Sequence, residues 1–483
     1  MSGPTSPHAE DGGSPAASAA TPCPPRCPSD FTINAPCRII KAGGGSVQIS
    51  AEELPDYPSG TYLWETNSPK ISLSDTHSAT VTVTARADAS SRRDAETITV
   101  TRTAAGCPPI VKTVNVTVAK VTFSKSANQR YGYDDYDTAG DRSDDHICVK
   151  SGGNTLLQVD IEGGLTGSDF TFECDDSRIM TAPRASASFE MRLTADFATA
   201  KLDTTLHAKC RCPAATSYAR IAVHVYREKR VEVVVAKIGT NLRLDTADYA
   251  AHQGAANDKL KEAVVMYRMS NFNNNNILRV HYDLDGNRAL SYDIANGGGG
   301  ELDAIRRAMT GTGTKVRVAI VREMKSYYYL SADINATETS IPVTASPDGT
   351  FDFSPGHTTT LGTGATQEQV TVVGKAGSSY TVTRAAPPNN HPHSAGEPLE
   401  FPAAGWGCEP ILVVEGTLTL DQIKWAIIHE VGHVALLLKD VNDQGNIMLY
   451  HVGGSDQRLR YCPRTRTYNP PGGTENQWDT IPR

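Results

Sequence analysis

The chain has 483 residues, a formal charge of −8 and an apolar fraction of 39%. That length holds about three or four domains, with apolar material for ordinary soluble cores. A net acidic chain without a basic stripe argues against nucleic acid as a partner, and no run approaches ~18 uninterrupted apolar residues, so no membrane span is expected.

Residues 1–30 are rich in Pro, Ser and Ala and lack both the basic start and the apolar run of a signal peptide. They read as a disordered linker. The chain is then expected to stay in the cytosol, to leave by a route that reads no cleavable signal, or to be cut from a longer protein.

Residues 31–120 carry short alternating segments (GSVQIS, TYLWET, KISLS, ATVTVTA, ETITVTRT and VKTVNVTVAKV) separated by turn residues. This spacing predicts a β-sandwich of the immunoglobulin-like kind, with one aromatic of Tyr62 and Trp64 directed into the core. Residues 121–230 repeat the pattern in TLLQVDI, DFTFEC, SFEMRLTA, TTLHAKC and RIAVHVY, which predicts a second β-sandwich. Its loop concentrates Asp134, Asp135, Asp137, Asp141, Asp144 and Asp145. Clustered carboxylates suit calcium, but the spacing fits no calcium loop, and a solvated acidic loop is the better reading.

Residues 231–330 change character. VEVVVAKI predicts a strand, residues 253–268 an amphipathic helix, ILRVHYDL and RALSYDI a hairpin around Asp285-Gly286-Asn287, ELDAIRRAM a helix and KVRVAIVREM a strand. Asp283, Asp285 and Asn287 could hold a cation, although the Asp-Gly turn accounts for them. Residues 331–402 read as a small β insertion, which is similar to modules of phage tails and tail-like structural proteins. Its loops hold His357, His391 and His393; a His-Pro-His metal site is weighed there against plain exposed histidines. GCEPILVVEG then predicts a strand bordering a cleft, and the tail around TENQWD a short closing helix.

The ten cysteines are Cys23, Cys27, Cys37, Cys107, Cys148, Cys174, Cys210, Cys212, Cys408 and Cys462. An even count spread through β-rich sequence suits disulfides in an oxidising compartment, with buried thiols as the competing reading. Cys37 with Cys107 and Cys408 with Cys462 are candidate pairs, although connectivity does not follow from sequence.

The strongest chemical signal is His429-Glu430-Val431-Gly432-His433. On a helix, positions four apart share a face, so both imidazoles can reach one zinc ion. Glu430 stands beside the ion rather than on it, placed to take a proton from an attacking water and return it to a leaving amine. With 13 His in 483 residues, chance supplies on the order of 0.02 such matches. The segment 420–438 reads as the carrier helix. Thr419 or Asp421 caps its start, and Ile423, Ile427, Val431, Val434 and Leu438 form an apolar stripe.

Together with Met448-Leu449-Tyr450, this motif resembles the metzincin metallopeptidases, in which a Met-turn lies beneath the zinc. The resemblance covers about thirty residues. It implies an α+β metzincin-like zincin domain built from 231–330 and 403–483, with Met448 structural and Tyr450 stabilising the oxyanion. The match is incomplete where the family places its third ligand. Lys439 stands at that position and Asp440 comes one residue late. On an unbroken helix Asp440 would sit about 10 Å further along the axis than His433. It can ligate only if the helix ends near Leu437 and the chain turns back, for which Asn442-Asp443-Gln444-Gly445 supplies turn chemistry. Glu475 is the alternative third ligand, and His451 and Asp443 are weaker ones.

The function expected is therefore that of a zinc-dependent endopeptidase, a hydrolase with Zn2+ as cofactor and a protein or peptide as substrate. Immunoglobulin-like modules, a tail-like insert and the absence of a signal peptide suggest a bacterial toxin-like effector. A contractile, phage-tail-related apparatus of the type VI kind would deliver it, with a spike or tube component and an immunity protein as partners. Two other readings stay open: a zinc-dependent cell-wall (peptidoglycan) hydrolase, and a catalytically inactive adhesin or structural accessory protein. A fragment starting near residue 231 is expected to fold alone.

Overall fold

In the computed structural model the described residues are 27–53, 59–87, 95–134, 145–197, 201–212 and 216–239. Most of 242–438 follows, with gaps at 246, 273–276, 279–289, 294–298, 345–355, 402–404, 407–409 and 417; Met448, Trp478 and 481–482 complete the set.

The Thr/Val alternation of the first hundred residues does what a period of two dictates, turning every second side chain inward. One sheet orders Thr32–Asn34, Ser46–Glu52, Thr80–Ala85 and Ile71–Leu73; opposite it run Ile110–Lys125, Glu96–Thr103 and Thr61–Glu65, with Ile39–Lys41 parallel to Ile110–Lys125. In chain order this is the strand arrangement of an immunoglobulin-like sandwich. Ile49, Val81 and Val83 from one sheet and Ile98, Val100 and Trp64 from the other share its core. Trp64 is the buried aromatic, and its indole N–H donates to Ser78 O at 2.8 Å.

The same arrangement recurs in the second sandwich. Phe170–Cys174, Lys201–Cys210, Ser217–Tyr226, His146–Lys150 and Tyr133–Asp134 form one sheet, with His146–Lys150 parallel to Ser217–Tyr226. Ile179–Ala182, Ser188–Ala195 and Asn154–Glu162 form the antiparallel ladder of the other. The two sandwiches do not fall into equivalent units. Residues 1–120 with Ile161–Leu165 and Cys210–Thr216 form one compact unit, and the rest of the second sandwich belongs with everything that follows it.

Beyond the sandwiches the pattern becomes α/β. Lys229–Ile238, Val265–Asn271, Val316–Val321 and Ile411–Val414 are parallel strands, ordered with Lys229–Ile238 between Val265–Asn271 and Val316–Val321, and Gly405–Trp406 closes the far edge antiparallel to Ile411–Val414. Continuous apolar runs are what a sheet covered on both faces requires. Val233, Val235, Val318, Ile320, Ile411 and Val413 enter one apolar cluster with helix α1 (Asp248–Leu260); Ala236, Ile238, Ala319, Val321, Leu412 and Val414 enter another with helix α2 (Gly299–Ala308). Helix α3 (Leu420–Leu436) follows Ile411–Val414 and packs in the first of these clusters.

Three sequence expectations are corrected. The helix expected over 253–268 ends at Leu260, and Val265–Asn271 is a strand. Val264 takes a left-handed conformation (φ 57°) at the junction, and parallel pairing with Lys229–Ile238 outweighs the helical pattern. The expected hairpin is not formed by its outer parts. Ile277–Leu278 pairs with Lys229–Ile238, whereas Leu290–Asp293 pairs with Met324–Tyr329 in a different sheet. That second sheet also holds Ser340–Pro342, Thr358–Leu361, Glu368–Ala376, Ser379–Thr383 and Pro398–Phe401. The β insertion is therefore continuous with strands on its N-terminal side, and its core residues Ile341, Val370, Val372 and Tyr380 share a cluster with α2.

The cut expected at residue 231 runs through a core. Cys148 and Tyr226 of the second sandwich lie in the same cluster as Val231, Val265, Ile427 and Trp478. Gly132 donates its backbone N–H to Glu262 O at 3.0 Å, and Lys125 pairs with the buried Glu262 at 3.4 Å.

Candidate metal centre

Helix α3 is started by Thr419, whose hydroxyl accepts from the Gln422 backbone N–H at 3.2 Å while Gln422 Oε1 accepts from the Thr419 N–H at 2.8 Å. This reciprocal capping box satisfies two helix-end donors and assigns the cap to Thr419 rather than Asp421. Ile423, Ile427 and Val431 are buried, as the stripe requires, which leaves His429, Glu430 and His433 half-buried along the opposite flank.

The two imidazoles converge. His429 Nε2 and His433 Nε2 are 3.1 Å apart, with their rings nearly perpendicular. His433 Nδ1 lies 2.8 Å from Leu438 O. A carbonyl only accepts, so Nδ1 carries the proton and a neutral His433 presents its Nε2 lone pair toward His429. An outward-facing ring nitrogen tied to a backbone carbonyl is how a metal-binding histidine is oriented. Two Nε2 atoms at this separation suit a shared tetrahedral ion, for which ligand distances of about 2.0–2.1 Å place neighbouring nitrogens about 3.3 Å apart. The donor set therefore fits zinc at these two residues.

The helix stops where the third-ligand reading needs it to stop. Leu437 adopts φ 55°, and the Leu438 backbone N–H returns to Gly432 O at 3.1 Å. Met448 is fully buried against the helix, and a Cβ on Gly432 would overlap its Sδ and lie 3.1 Å from its Cε. Gly432 is thus the seat of Met448. Asp440, Asp443, Tyr450, His451 and Glu475 lie outside the described residues. Among the described residues no third His, Cys, Asp or Glu joins the pair.

The other candidates fare differently. Asp134 is buried in the strand Tyr133–Asp134, and Asp145 accepts from the Tyr133 hydroxyl at 2.9 Å, so the ends of the acidic loop are structural. Residues 135–144 and Asp283, Asp285 and Asn287 lie outside the described residues. His393 is not an exposed loop histidine. It is buried between Glu397 Oε2 at 2.8 Å and Glu368 Oε1 at 2.9 Å, and Arg384 also binds Glu368. Its carboxylate partners occupy both ring nitrogens, which leaves none for a metal.

Sequence reasoning missed a chain of polar side chains in the second sandwich. Asp203 Oδ1 binds His224 Nδ1 at 2.6 Å, and His224 Nε2 meets His146 Nδ1 at 2.9 Å. Spacing gives no hint of it; strand register does, because Asp203 and His224 are direct cross-strand partners. Burial, then the neighbouring His224, lowers the pKa of His146 to about 4, with Asp203 opposing.

Disulfides join Cys27 to Cys107 and Cys37 to Cys212. The expected Cys37–Cys107 pair is corrected: both residues are bridged, but to other partners brought close by the fold. Cys408 and Cys462 lie outside the described residues.

No family model matches the chain, and no curated protein matches it. Among solved structures, it is similar to fibronectin(III)-like modules of Clostridium thermocellum CbhA (TM-score 0.22, 18% identity, 41% of this chain and 95% of that one). It is also similar to a titin A168–A169 structure (TM-score 0.17, 11% identity, 41% and 98%) and to tandem Ig repeats of Dlar (TM-score 0.17, 8% identity, 41% and 98%). Likenesses this distant carry no functional weight; the sandwich assignment rests on strand order and core.

Proposed function

We propose that the chain is a zinc-dependent endopeptidase, with His429 and His433 as metal ligands and Glu430 as general base. The observation that carries this reading is the convergence of His429 Nε2 and His433 Nε2 at 3.1 Å, with His433 Nδ1 tied to Leu438 O. Asp440 is the proposed third ligand and Glu475 the alternative. Zinc, when bound, supplies a Lewis acid that brings the pKa of its water to about 7. Glu430, on the next position of α3, accepts the proton of the attacking water and donates it to the leaving amine. Tyr450 is proposed to donate to the developing oxyanion, and Met448 to hold the helix from below.

The metzincin-like label for this domain belongs to the same proposal. It is supported by the strand–helix–strand order ending in α3 and by Met448 seated on Gly432. The immunoglobulin-like sandwiches are proposed to serve targeting in a secreted or injected bacterial effector, delivered by a phage-tail-related apparatus and neutralised by an immunity protein. An activated water also attacks other acyl carbons, so peptidoglycan is the second substrate class; an inactive adhesin is the third reading. Metal analysis together with casein and peptidoglycan hydrolysis, comparing the full chain with Glu430→Ala, tests all three. Zinc bound with casein cleaved supports the endopeptidase, peptidoglycan release alone supports the cell-wall enzyme, and zinc without hydrolysis supports the inactive protein.

No helix among the described residues is long and apolar enough to cross a membrane, and the disulfides are compatible with an extracellular setting.

A further inference from the structure

Three cysteine sulfurs crowd one point of the first unit. The Sγ atoms of Cys37, Cys210 and Cys212 all lie within 4.8 Å of one another. Cys37 is bonded to Cys212. Cys210 Sγ, buried, stands 3.8 Å from Cys37 Sγ. A third thiol held against a disulfide is the starting arrangement of exchange, because the attacking and attacked sulfurs have already been brought together.

We propose that Cys37, Cys210 and Cys212 form a thiol–disulfide exchange site in which Cys37 alternates between the other two. The Cys210 thiolate attacks Cys37 Sγ. The Cys210–Cys37 bond forms, the Cys37–Cys212 bond breaks, and Cys212 leaves as a thiolate that takes up the proton Cys210 released. One disulfide and one thiol are present before and after, so no oxidant or reductant is consumed. What changes is where the thiol sits. Cys210 is buried, whereas Cys212 is partly exposed, so each exchange carries a reactive sulfur from the interior to a place solvent reaches. The ligand class is a thiol-reactive one: an external disulfide that the Cys212 thiolate can attack. The other thiols described are placed differently. Cys148 is buried, and burial, then Asp175 and Asp176, pushes the Cys174 thiol up to about 12, which holds it in the inert protonated form.

The site can be read by peptide mapping of the full chain, because trypsin cuts after Arg211 and so separates Cys210 from Cys212. The protein is incubated with N-ethylmaleimide at neutral pH for increasing times, acid-quenched, digested without reduction and mass-analysed. Exchange predicts that alkylated Cys212 accumulates together with a Cys37–Cys210 linkage, since alkylation traps the exposed thiolate. In Cys210→Ser, alkylation of Cys212 falls about tenfold or more. In Cys212→Ser, Cys37 is linked to Cys210. The proposal is overturned if the wild type holds only Cys37–Cys212 and never alkylates Cys212. It is equally overturned if all three sulfurs become alkylatable only after a chelator removes a bound metal, which would make the trio a three-thiolate metal site. The wild-type time course decides the matter even if a variant fails to fold.

Discussion

Met448 rests on Gly432: a single methyl added to the glycine would collide with the methionine sulfur. The contact joins the middle of the histidine-bearing helix to a residue beyond its end, and both partners are fully buried or nearly so. Gly432→Ala should therefore be destabilising despite alanine's better helix propensity, by about 1–3 kcal/mol as overpacking. Thermal unfolding measures the loss, and zinc affinity measured alongside it should weaken. A variant with unchanged or raised Tm would mean that Met448 moves aside freely.

Glu430→Gln should lower peptide hydrolysis about 100-fold or more while zinc content stays at the wild-type level. Zinc analysis and a peptidase assay on the same preparation check this. Loss of zinc together with activity would make Glu430 a ligand and not a base.

Asp440→Ala should weaken zinc binding, and Glu475→Ala should weaken it much less. The left-handed Leu437 and the return of the Leu438 N–H to Gly432 O end the helix in time for a ligand just beyond it. Equilibrium dialysis of both variants ranks the two candidates, and the reverse order would assign the third position to Glu475.

Acidification should destabilise the second unit. The pKa of His146 is lowered to about 4 and that of the buried His252 to about 3, chiefly by burial. Between these values and the ordinary 6.5, the unfolded chain binds protons that the folded chain does not, so stability falls as pH falls through that window and is independent of these groups above it. Tm recorded from pH 7.5 to 4.5 should drop, and His146→Gln should flatten the drop. An identical profile in the variant would remove His146 from the account.

A fragment beginning at residue 231 should be insoluble or molten, whereas one beginning at 121 should unfold cooperatively. The first loses Cys148 and Tyr226 from the cluster that also holds Val265, Ile427 and Trp478; the second retains them. Near-UV circular dichroism of the two fragments distinguishes these outcomes.

The sandwich strands were legible because their Thr/Val alternation has one physical reading, a half-buried pleated surface. The runs VEVVVAKI, KVRVAIV and ILVV were legible as strands buried on both faces. The segment AVVMYR was not, because its apolar spacing suits a helix while its β-branched residues suit a strand, and only the neighbouring Lys229–Ile238 decides between them. The Asp-Gly turn gave a sound local signal, yet its flanking strands found partners in two different sheets. At the candidate site, the four-residue spacing of His429 and His433 was enough to place both rings on one ion. The role of Leu438 O was invisible, since backbone carbonyls leave no mark in sequence. Cysteine pairing was invisible for the same reason: Cys37 and Cys212 are separated by 175 residues and meet only through the fold.

Trp478 packs edge-on to His224 and occupies the space beside Gly132, where an added Cβ would come within 2.6 Å of its ring. A ribosome makes Gly132 and His224 long before it makes Trp478. Until then the second sandwich must wait with an apolar face uncovered, a surface that chaperones bind and that neighbouring nascent chains can capture. Yield in cells should thus depend on how long translation takes to reach this tryptophan, so that synonymous codons slowing the last third of the message would change solubility without changing a single residue.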